Sequence, residues 1–318
     1  MNTQQKLLTM LRQSSKTHSG EKLAQELGIS RTAVWKAIGE LEKKGYQIEH
    51  GPTGYRYLTS DVLEPTACAS SELLSPHIFL KESTDSTMTD AKKAAISNQE
   101  APALFLAETQ TGGHGRFGRP FFSPKGQIYM SLLLYPNQSF EELPQYTILA
   151  AVAAALAIDT VTGEKTTIKW VNDIYLNEKK VCGILSEAMS NFETGQIAHV
   201  ILGMGINFSI APKAFPVEIK DKAGSLFPDG VTNCSRNELI ALIWKNFFEL
   251  VAALPDQRYL QIYREKSFVL GKMVTFIQQG HTYTGLATEI TDTGELVVET
   301  TKKKFMLSSG EISLTSIR

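Results

Sequence analysis

The sequence predicts an α+β chain in three parts: an N-terminal winged helix-turn-helix over residues 1–63, a central α/β domain over 64–268 and a small C-terminal β module over 269–318. Three observations predict it. The first 63 residues carry apolar positions at helical spacing, followed by two short strand-like runs around a turn. From about residue 77, strand-like runs alternate with helical ones, the pattern of a sheet covered by helices. After Gly271 only short strands follow, VTFI, YTGLAT, ELVVET and FMLS, which read as one all-β unit.

The head is set out by its punctuation. Leu7, Leu8, Met10 and Leu11 give a first helix an apolar face. Ser19 is placed to cap a second helix bearing Leu23, Ala24 and Leu27, which Gly28 ends. Ser30 caps a third, with Val34, Ala37, Ile38 and Leu41 on one stripe and Gly45 at its end. YQIEH and YRYL then pair across Gly51, Pro52, Thr53 and Gly54, a turn by composition. Residues 60–75 are polar and small with Pro65 among them, and read as a linker. In the centre, strand-like runs fall at 103–107, 128–135, 167–170, 181–187 and 199–205. Residues 149–158 are Ala-rich and helical, and 236–254 form an amphipathic helix through Leu239, Leu242, Ile243 and Phe247.

Composition narrows the class. A hydrophobic share of 42% with 20% charged residues suits a globular chain with an adequate core. No apolar run approaches the roughly 18–20 residues of a membrane span, and the N-terminus lacks a signal peptide's apolar core. The expectation is a cytoplasmic protein with no membrane contact. Cys68, Cys182 and Cys234 are far apart and odd in number, and the six histidines are scattered, so no protein metal site is expected and a reduced compartment is. The net charge of −1 is uneven: residues 1–63 hold nine Lys/Arg against six Asp/Glu, and the remainder 23 against 27. A basic head on an acidic body points the head toward nucleic acid.

In a helix-turn-helix the second helix of the pair enters the major groove. With Val34, Ala37, Ile38 and Leu41 turned inward, Arg31, Thr32, Trp35, Lys36 and Gly39 face outward. Arg31 and Lys36 suit phosphates or guanine edges, and the wing residues Arg56 and Tyr57 suit the DNA backbone. The same shape also serves as a protein-interaction module, its charged face simply solvated.

The sharpest motif is AETQTGGHGRFGRPFFSPKG, residues 107–126. Its glycines allow unusual backbone angles and close approach to a ligand, successive N–H groups in such a loop cradle anions, and Arg116 and Arg119 suit carboxylate and phosphate. A flexible turn would have the same composition. STDSTMTDA lies upstream at 83–91, and KWVND at 169–173, KVCGILSE at 180–187 and GMGIN at 203–207 follow.

These motifs, in this order, resemble the catalytic domain of biotin–protein ligases, and SGEKLAQELGISRTAVWKAIGELEKKGY (19–46) resembles the heads of biotin-operon repressors. The resemblance covers essentially the whole chain. It implies a central domain of the biotin/lipoate ligase type and an SH3-like β-barrel at the C-terminus. The implied activity is that of a biotin–[biotin carboxyl carrier protein] ligase. It would use ATP and Mg²⁺ to form biotinyl-AMP and pass biotin to a lysine of the carrier. The implied partners are that carrier, operator DNA and, on ligand binding, a second copy of the chain, with biotinyl-AMP as corepressor.

By the same resemblance Lys180 faces the biotin carboxylate and α-phosphate, and Arg116 belongs to a loop that closes on the adenylate. Ser86, Thr87 and Gln110 hydrogen-bond the ends of biotin, and Met88, Gly113, His114, Gly115, Arg119, Trp170, Asn172, Gly183 and Asn207 complete the binding set. Asp173 is the candidate for the incoming ammonium. Without the resemblance Lys180 reads as a hairpin lysine and Asp173 as a turn residue. Trp170 and Phe121 are each core or pocket wall, and 210–226 is either a loop over the adenine or a surface connection. Three positions depart from the family pattern: Met88 for asparagine, His114 for the first loop arginine and Val171 for proline. A lipoate-type ligase, a biotin-sensing transcription factor without catalysis, and a ligase whose head no longer regulates are the competing readings. Intact Arg116 and Lys180 argue against the second of these.

Overall fold

The computed structural model describes residues 3–13, 16–58, 60–69, 74, 77–136, 143–190, 195–308, 310 and 312–314. The chain divides into two compact units, Met1–Leu63 and Glu64–Arg318.

The first unit is three helices and a hairpin: α1 (Thr3–Arg12), α2 (Gly20–Leu27), α3 (Arg31–Lys43), β1 (Ile48–Gly51) and β2 (Gly54–Tyr57). Its helix ends follow the sequence closely. Ser19 and Ser30 each accept a backbone N–H in the first turn, from Lys22 and Ala33, both at 3.1 Å. Gly28 closes α2 in the left-handed region at φ 65°, a conformation only glycine adopts without cost. Leu7, Leu11, Leu23, Val34, Ile38 and Leu41 are fully or nearly fully buried and form one core. The hairpin is antiparallel, with Ile48 opposite Tyr57 and Gly51 opposite Gly54.

The second unit is built on a seven-stranded sheet of β3 (Ile78–Thr84), β4 (Ala103–Gln110), β5 (Ile128–Leu134), β6 (Thr167–Lys169), β7 (Asp173–Leu176), β8 (Lys179–Ser190) and β9 (Ile197–Ile206). Their spatial order is β3-β4-β5-β9-β8-β7-β6. Only β3 and β4 run parallel, joined through α4 (Thr87–Ile96); the other pairs are antiparallel. α5 (Leu143–Thr162) packs on β8 and against α6 (Arg236–Ala252) and α7 (Arg258–Lys266). A second sheet, of β10 (Met273–Gln278), β11 (His281–Ile290), β12 (Leu296–Glu299), β13 (Lys304–Leu307) and β14 (Ile312–Leu314), is a meander whose last strand returns to pair with β10. It is joined to the first sheet's loops by Trp170, whose Nε1 donates to the Gly294 carbonyl at 3.0 Å.

Two expectations are corrected here. α5 is, in length and composition, apolar enough to cross a membrane, against the expectation that no run is. Its apolarity has another cause: nearly all of its residues from Gln145 to Ile158 are buried within the unit. The linker expected over 60–75 is shorter than that. Cys68 and Leu74 are fully buried, the Glu64 N–H donates to Asn237 Oδ1 at 2.9 Å, and the Cys68 thiol donates to the same oxygen at 3.2 Å. Residues from 64 are therefore packed into the second unit; 70–73 and 75 lie outside the described residues.

Candidate functional site

The parallel pair β3–β4 sets the site's first wall. Thr84 and Gln110 are partners in register at the ends of these strands, so the loops that follow leave side by side. They are knitted together by Thr111 N–H to Thr84 O at 3.0 Å and Gly112 N–H to Asp85 O at 2.8 Å. One loop starts α4, with Ser86 at its N-cap position, buried and making no side-chain cap. The Gln110 amide spans both: its Oε1 accepts from the Thr87 N–H at 2.9 Å and from the Thr87 hydroxyl at 3.2 Å, and its Nε2 donates to Ser123 Oγ at 3.3 Å. Thr87 Oγ1 also meets Ser131 Oγ at 2.8 Å, completing a buried polar network.

The glycine-rich loop folds back on itself. The Gly115 N–H donates to Arg119 O at 2.9 Å and the Phe121 N–H to Gly113 O at 2.8 Å. His114 turns Nδ1 to the Gly112 carbonyl at 3.0 Å. At its tip Phe117 sits in the left-handed region at φ 60° and is 69% exposed, with the Arg116 and Arg119 guanidiniums 5.5 and 5.9 Å from its ring centre. Arg116 reaches across to Asn172, Nη1 donating to Oδ1 at 3.4 Å.

KWVND joins β6 to β7. Trp170 and Val171 are buried, and the Val171 carbonyl accepts from the Tyr263 hydroxyl at 3.0 Å. Burial pushes the Tyr263 phenol well above its ordinary range, so it stays a donor. Asn172 Nδ2 donates to Ile184 O at 2.8 Å, which fixes the side chain that Arg116 meets. Asp173 opens β7 opposite Gly183, and Lys180 is the second residue of β8, opposite Tyr175. Their side chains meet, Lys180 Nζ 2.7 Å from Asp173 Oδ1, as an ion pair without hydrogen-bond alignment. Both stay partly exposed to the cavity.

The floor is made of glycines. Gly183 on β8 is in register with Gly205 on β9, and Leu185 with Gly203. A Cβ at Gly205 would stand 2.6 Å from the Phe121 ring, and one at Gly203 would stand 2.5 Å from Met88 Sδ. Side chains from outside the two strands thus lie directly on bare backbone.

These walls enclose a cavity of about 220 Å³. Of the residues expected at a ligand site, Ser86, Thr87, Met88, Gln110, His114 and Gly115 line it on the first wall and loop, with Arg116 and Arg119. Trp170, Asn172, Asp173, Lys180 and Gly183 line it from the other side. Trp170 is both core and pocket wall, whereas Phe121, partly exposed, is pocket wall. Two expected residues are not in the lining. Gly113 lies behind it, where a Cβ would press on Gln110 and Ser123. Asn207 is 7% exposed and donates Nδ2 to Gly224 O at 2.8 Å, facing a neighbouring groove of about 850 Å³. Within the GMGIN motif Gly203 and Gly205 line the cavity and Asn207 lines the groove. Sequence reasoning also missed Lys169, Phe117, Gly310 and Ile312. Lys169 and Phe117 sit inside the quoted motifs, whereas nothing local marks the last two.

The larger groove shares Arg119, Pro120, Phe121, Lys169, Asp173 and Lys180 with the cavity. Phe215, Ile219, Lys222 and Ala223 of the segment 210–226 line its far side. That segment is tied to the key strand: the Lys180 N–H donates to Lys222 O at 2.8 Å and the Gly224 N–H to Lys180 O at 2.9 Å.

On the first unit, Arg31, Thr32, Lys36 and Arg56 are exposed, and Trp35 is 61% exposed. Arg56 Nε donates to Glu49 across the hairpin at 2.8 Å. Tyr57 instead packs inward, its hydroxyl accepting from Arg12 at 3.3 Å with the guanidinium 5.2 Å from its ring.

Comparisons with known proteins place these parts. Residues 80–207 match the Biotin/lipoate A/B protein ligase family, 3–56 an HTH domain and 269–315 the Biotin protein ligase C terminal domain. The chain is 34% identical over 305 residues to the Bifunctional ligase/repressor BirA of Bacillus subtilis, covering 93% of each. To its counterpart in Escherichia coli it is 27% identical over 328 residues, covering 98% of this chain and 97% of that one. Among solved structures, the biotin protein ligase from Aquifex aeolicus in complex with biotin and ATP superposes with a TM-score of 0.64 at 28% identity, over 75% of this chain and 98% of that chain.

Proposed function

The chain belongs to the biotin–protein ligase family, with the bifunctional ligase/repressors among its relatives, and on that premise we propose how its residues divide the work. The body activates biotin with ATP as biotinyl-AMP and transfers it to a lysine of a biotin carboxyl carrier protein. The head binds operator DNA and represses transcription. The observation that carries the reading is the Lys180–Asp173 pair, 2.7 Å apart, in a cavity whose other polar groups include Thr87, Gln110, Arg116 and Asn172.

In the first step a biotin carboxylate oxygen attacks the α-phosphorus and pyrophosphate leaves. A carboxylate is ionised at pH 7 and needs no general base. The obstacle is two anions meeting, which fixed cations in a closed site relieve. Lys180 would exchange Asp173 for the carboxylate and α-phosphate, and Arg116, oriented by Asn172, would follow the phosphoryl oxygens. Thr87, Gln110 and Ser86 would hold biotin's polar atoms. Among the described residues the cavity is lined by one carboxylate, Asp173, which is already paired, and the adjoining groove adds the exposed Glu178. Mg²⁺ therefore fits this site as an ion carried on the triphosphate, where it would supply charge neutralisation. The adjoining groove, with segment 210–226 along it, would take the nucleotide.

In the second step the acceptor's amine attacks the acyl carbon, the acyl–phosphate C–O bond breaks and AMP leaves. The amine arrives as an ammonium whose unperturbed pKa is near 10.4. Asp173, released from Lys180, would accept its hydrogen bond and orient it while the ammonium gives up a proton to solvent, leaving the neutral amine that attacks. A dimer promoted by the adenylate would set two α3 helices about one DNA turn, or a multiple of it, apart; the adenylate can drive this only by binding the dimer more tightly than the monomer.

The test is pyrophosphate release with ATP and Mg²⁺ in the presence of biotin, lipoate or no acid, in wild type and Lys180→Ala. Biotin-dependent release that the variant loses is the expected outcome. Release with lipoate instead would move the chain to the lipoate-type ligases, and none with either from folded wild type would leave a non-catalytic sensor. If Asp173→Asn transfers biotin from preformed biotinyl-AMP at the wild-type rate, its role in the second step is wrong.

A further inference from the structure

Gly39 stands in the interior of α3, where glycine is a poorer helix former than alanine. Three other glycines of the head have a backbone reason: Gly28, Gly45 and Gly54 sit at φ of +65°, +99° and +136°. Gly39 does not: it has no positive φ, and a Cβ built on it meets nothing within 4 Å. Neither the helix nor its neighbours require a glycine here. An alanine would fit and would hold the helix better.

One turn earlier on the same face is Trp35, 61% exposed. Thr32, exposed, lies three residues before that. Positions i, i+3 and i+7 share one side of a helix. The face therefore carries a methyl, an indole and a stretch of bare backbone in line, with the exposed cations Arg31 and Lys36 beside it. A single exposed apolar residue is ordinary on any protein surface. Three aligned positions, one of them a glycine that the fold does not need, are not explained that way.

Resting on the operator-binding reading above, we propose that Thr32, Trp35 and Gly39 form an apolar strip that reads thymine methyl groups on the floor of the major groove. The cations account for phosphate contact, which carries no sequence information. Of the groups that base pairs present in the major groove, the thymine C5 methyl is the apolar one, and threonine methyls and aromatic side chains are its natural partners. The missing Cβ at position 39 lets the helix backbone approach the bases more closely.

The experiment uses the full-length protein with biotin and ATP. A randomised duplex library is selected for binding. The recovered duplex is then resynthesised with deoxyuridine for thymidine one position at a time, which removes a methyl and keeps the base pair. Wild type is expected to lose roughly four-fold in affinity at one or two positions per half-site, the worth of one buried methyl. Trp35→Ala should lose affinity and become insensitive to those substitutions. Lys36→Ala should weaken thymine and uracil duplexes equally. Gly39→Ala should raise the head's melting temperature while lowering affinity for the selected duplex. The proposal is overturned if every deoxyuridine duplex binds wild type as well as the parent, or if Gly39→Ala stabilises the head and leaves binding intact. Failure of wild type to enrich any sequence would remove the operator-binding reading itself, and the strip with it.

Discussion

In the head, Val34, Ala37, Ile38 and Leu41 hold α3 in place, while Arg31, Thr32, Trp35 and Lys36 point outward and contribute nothing to that core. In the body, the residues that form the cavity are also its packing. Met88 lies in an apolar cluster with Ala91, Phe105 and Leu133, Trp170 is hydrogen-bonded to the second sheet, and Gly203 and Gly205 carry Met88 and Phe121 on their backbones. Chemistry and stability are separable on one surface and merged in the other. Substitutions should therefore split cleanly in the head and fail to split in the body.

The largest effect is expected at the buried pair that holds α6 to the sheet. Arg236 is 3% and Glu108 14% exposed in their side chains; Nη1 donates to Glu108 Oε2 at 2.8 Å and to the Gln127 carbonyl at 3.0 Å. Glu108→Gln leaves a buried guanidinium without its counter-charge, and removing one partner of such a pair costs about 3–5 kcal/mol. Glu108 lies two residues before Gln110 on β4, so urea unfolding and biotin KM should both worsen. A stable variant with wild-type KM would contradict the merging of scaffold and site.

Gly205→Ala should come next. Its Cβ would stand 2.6 Å from the Phe121 ring, and overpacking of this kind costs about 1–3 kcal/mol. Because Phe121 lines the cavity, the displaced ring should also raise biotin KM, measured by pyrophosphate release. Loss of stability alone would place Phe121 outside the binding surface.

The two regions also differ in how readable they are. The head's caps, helix stripes and hairpin are signals of adjacent residues, and Ser19, Gly28 and Ser30 do in space what they announce in sequence. In the body the motifs lie together, and thirteen of the residues named from them line one cavity. It does not foresee that β9 lies between β5 and β8, which pairs Gly183 with Gly205 and makes a floor. That pairing is non-local, so the sequence points to Asn207 of GMGIN, which lines the groove, and says nothing of the glycines that reach the cavity. The strand β3 and the helices α4 and α7 pass unnoticed because short amphipathic runs near Ser and Thr carry little periodicity. The stretch holding buried Cys68 and Leu74 reads as a linker because those two stand among polar neighbours in the sequence.

A smaller, head-only effect sharpens the comparison. Ser30→Ala removes the acceptor of the Ala33 N–H and should cost about 1 kcal/mol in the head's stability. Biotin-dependent pyrophosphate release should stay at the wild-type rate. A fall in that rate would show that the two units are not independent in this respect.

The smallest effect at neutral pH belongs to Tyr175, and it appears only in alkali. Burial, and then the negative charge of Asp173, push its phenol up to about 12. The unfolded chain releases that proton near pH 10. The folded state therefore holds a proton that the unfolded state has lost, and stability falls as pH rises from about 10 to about 12. Tyr175 shares the large groove with Lys180 and Asp173, so it titrates where the site's charges are. In Tyr175→Phe the decline in melting temperature over that window should be shallower than in wild type, while tyrosinate absorbance at 295 nm loses its component near 12. An identical decline in both proteins would mean that Tyr175 does not contribute to the alkaline loss.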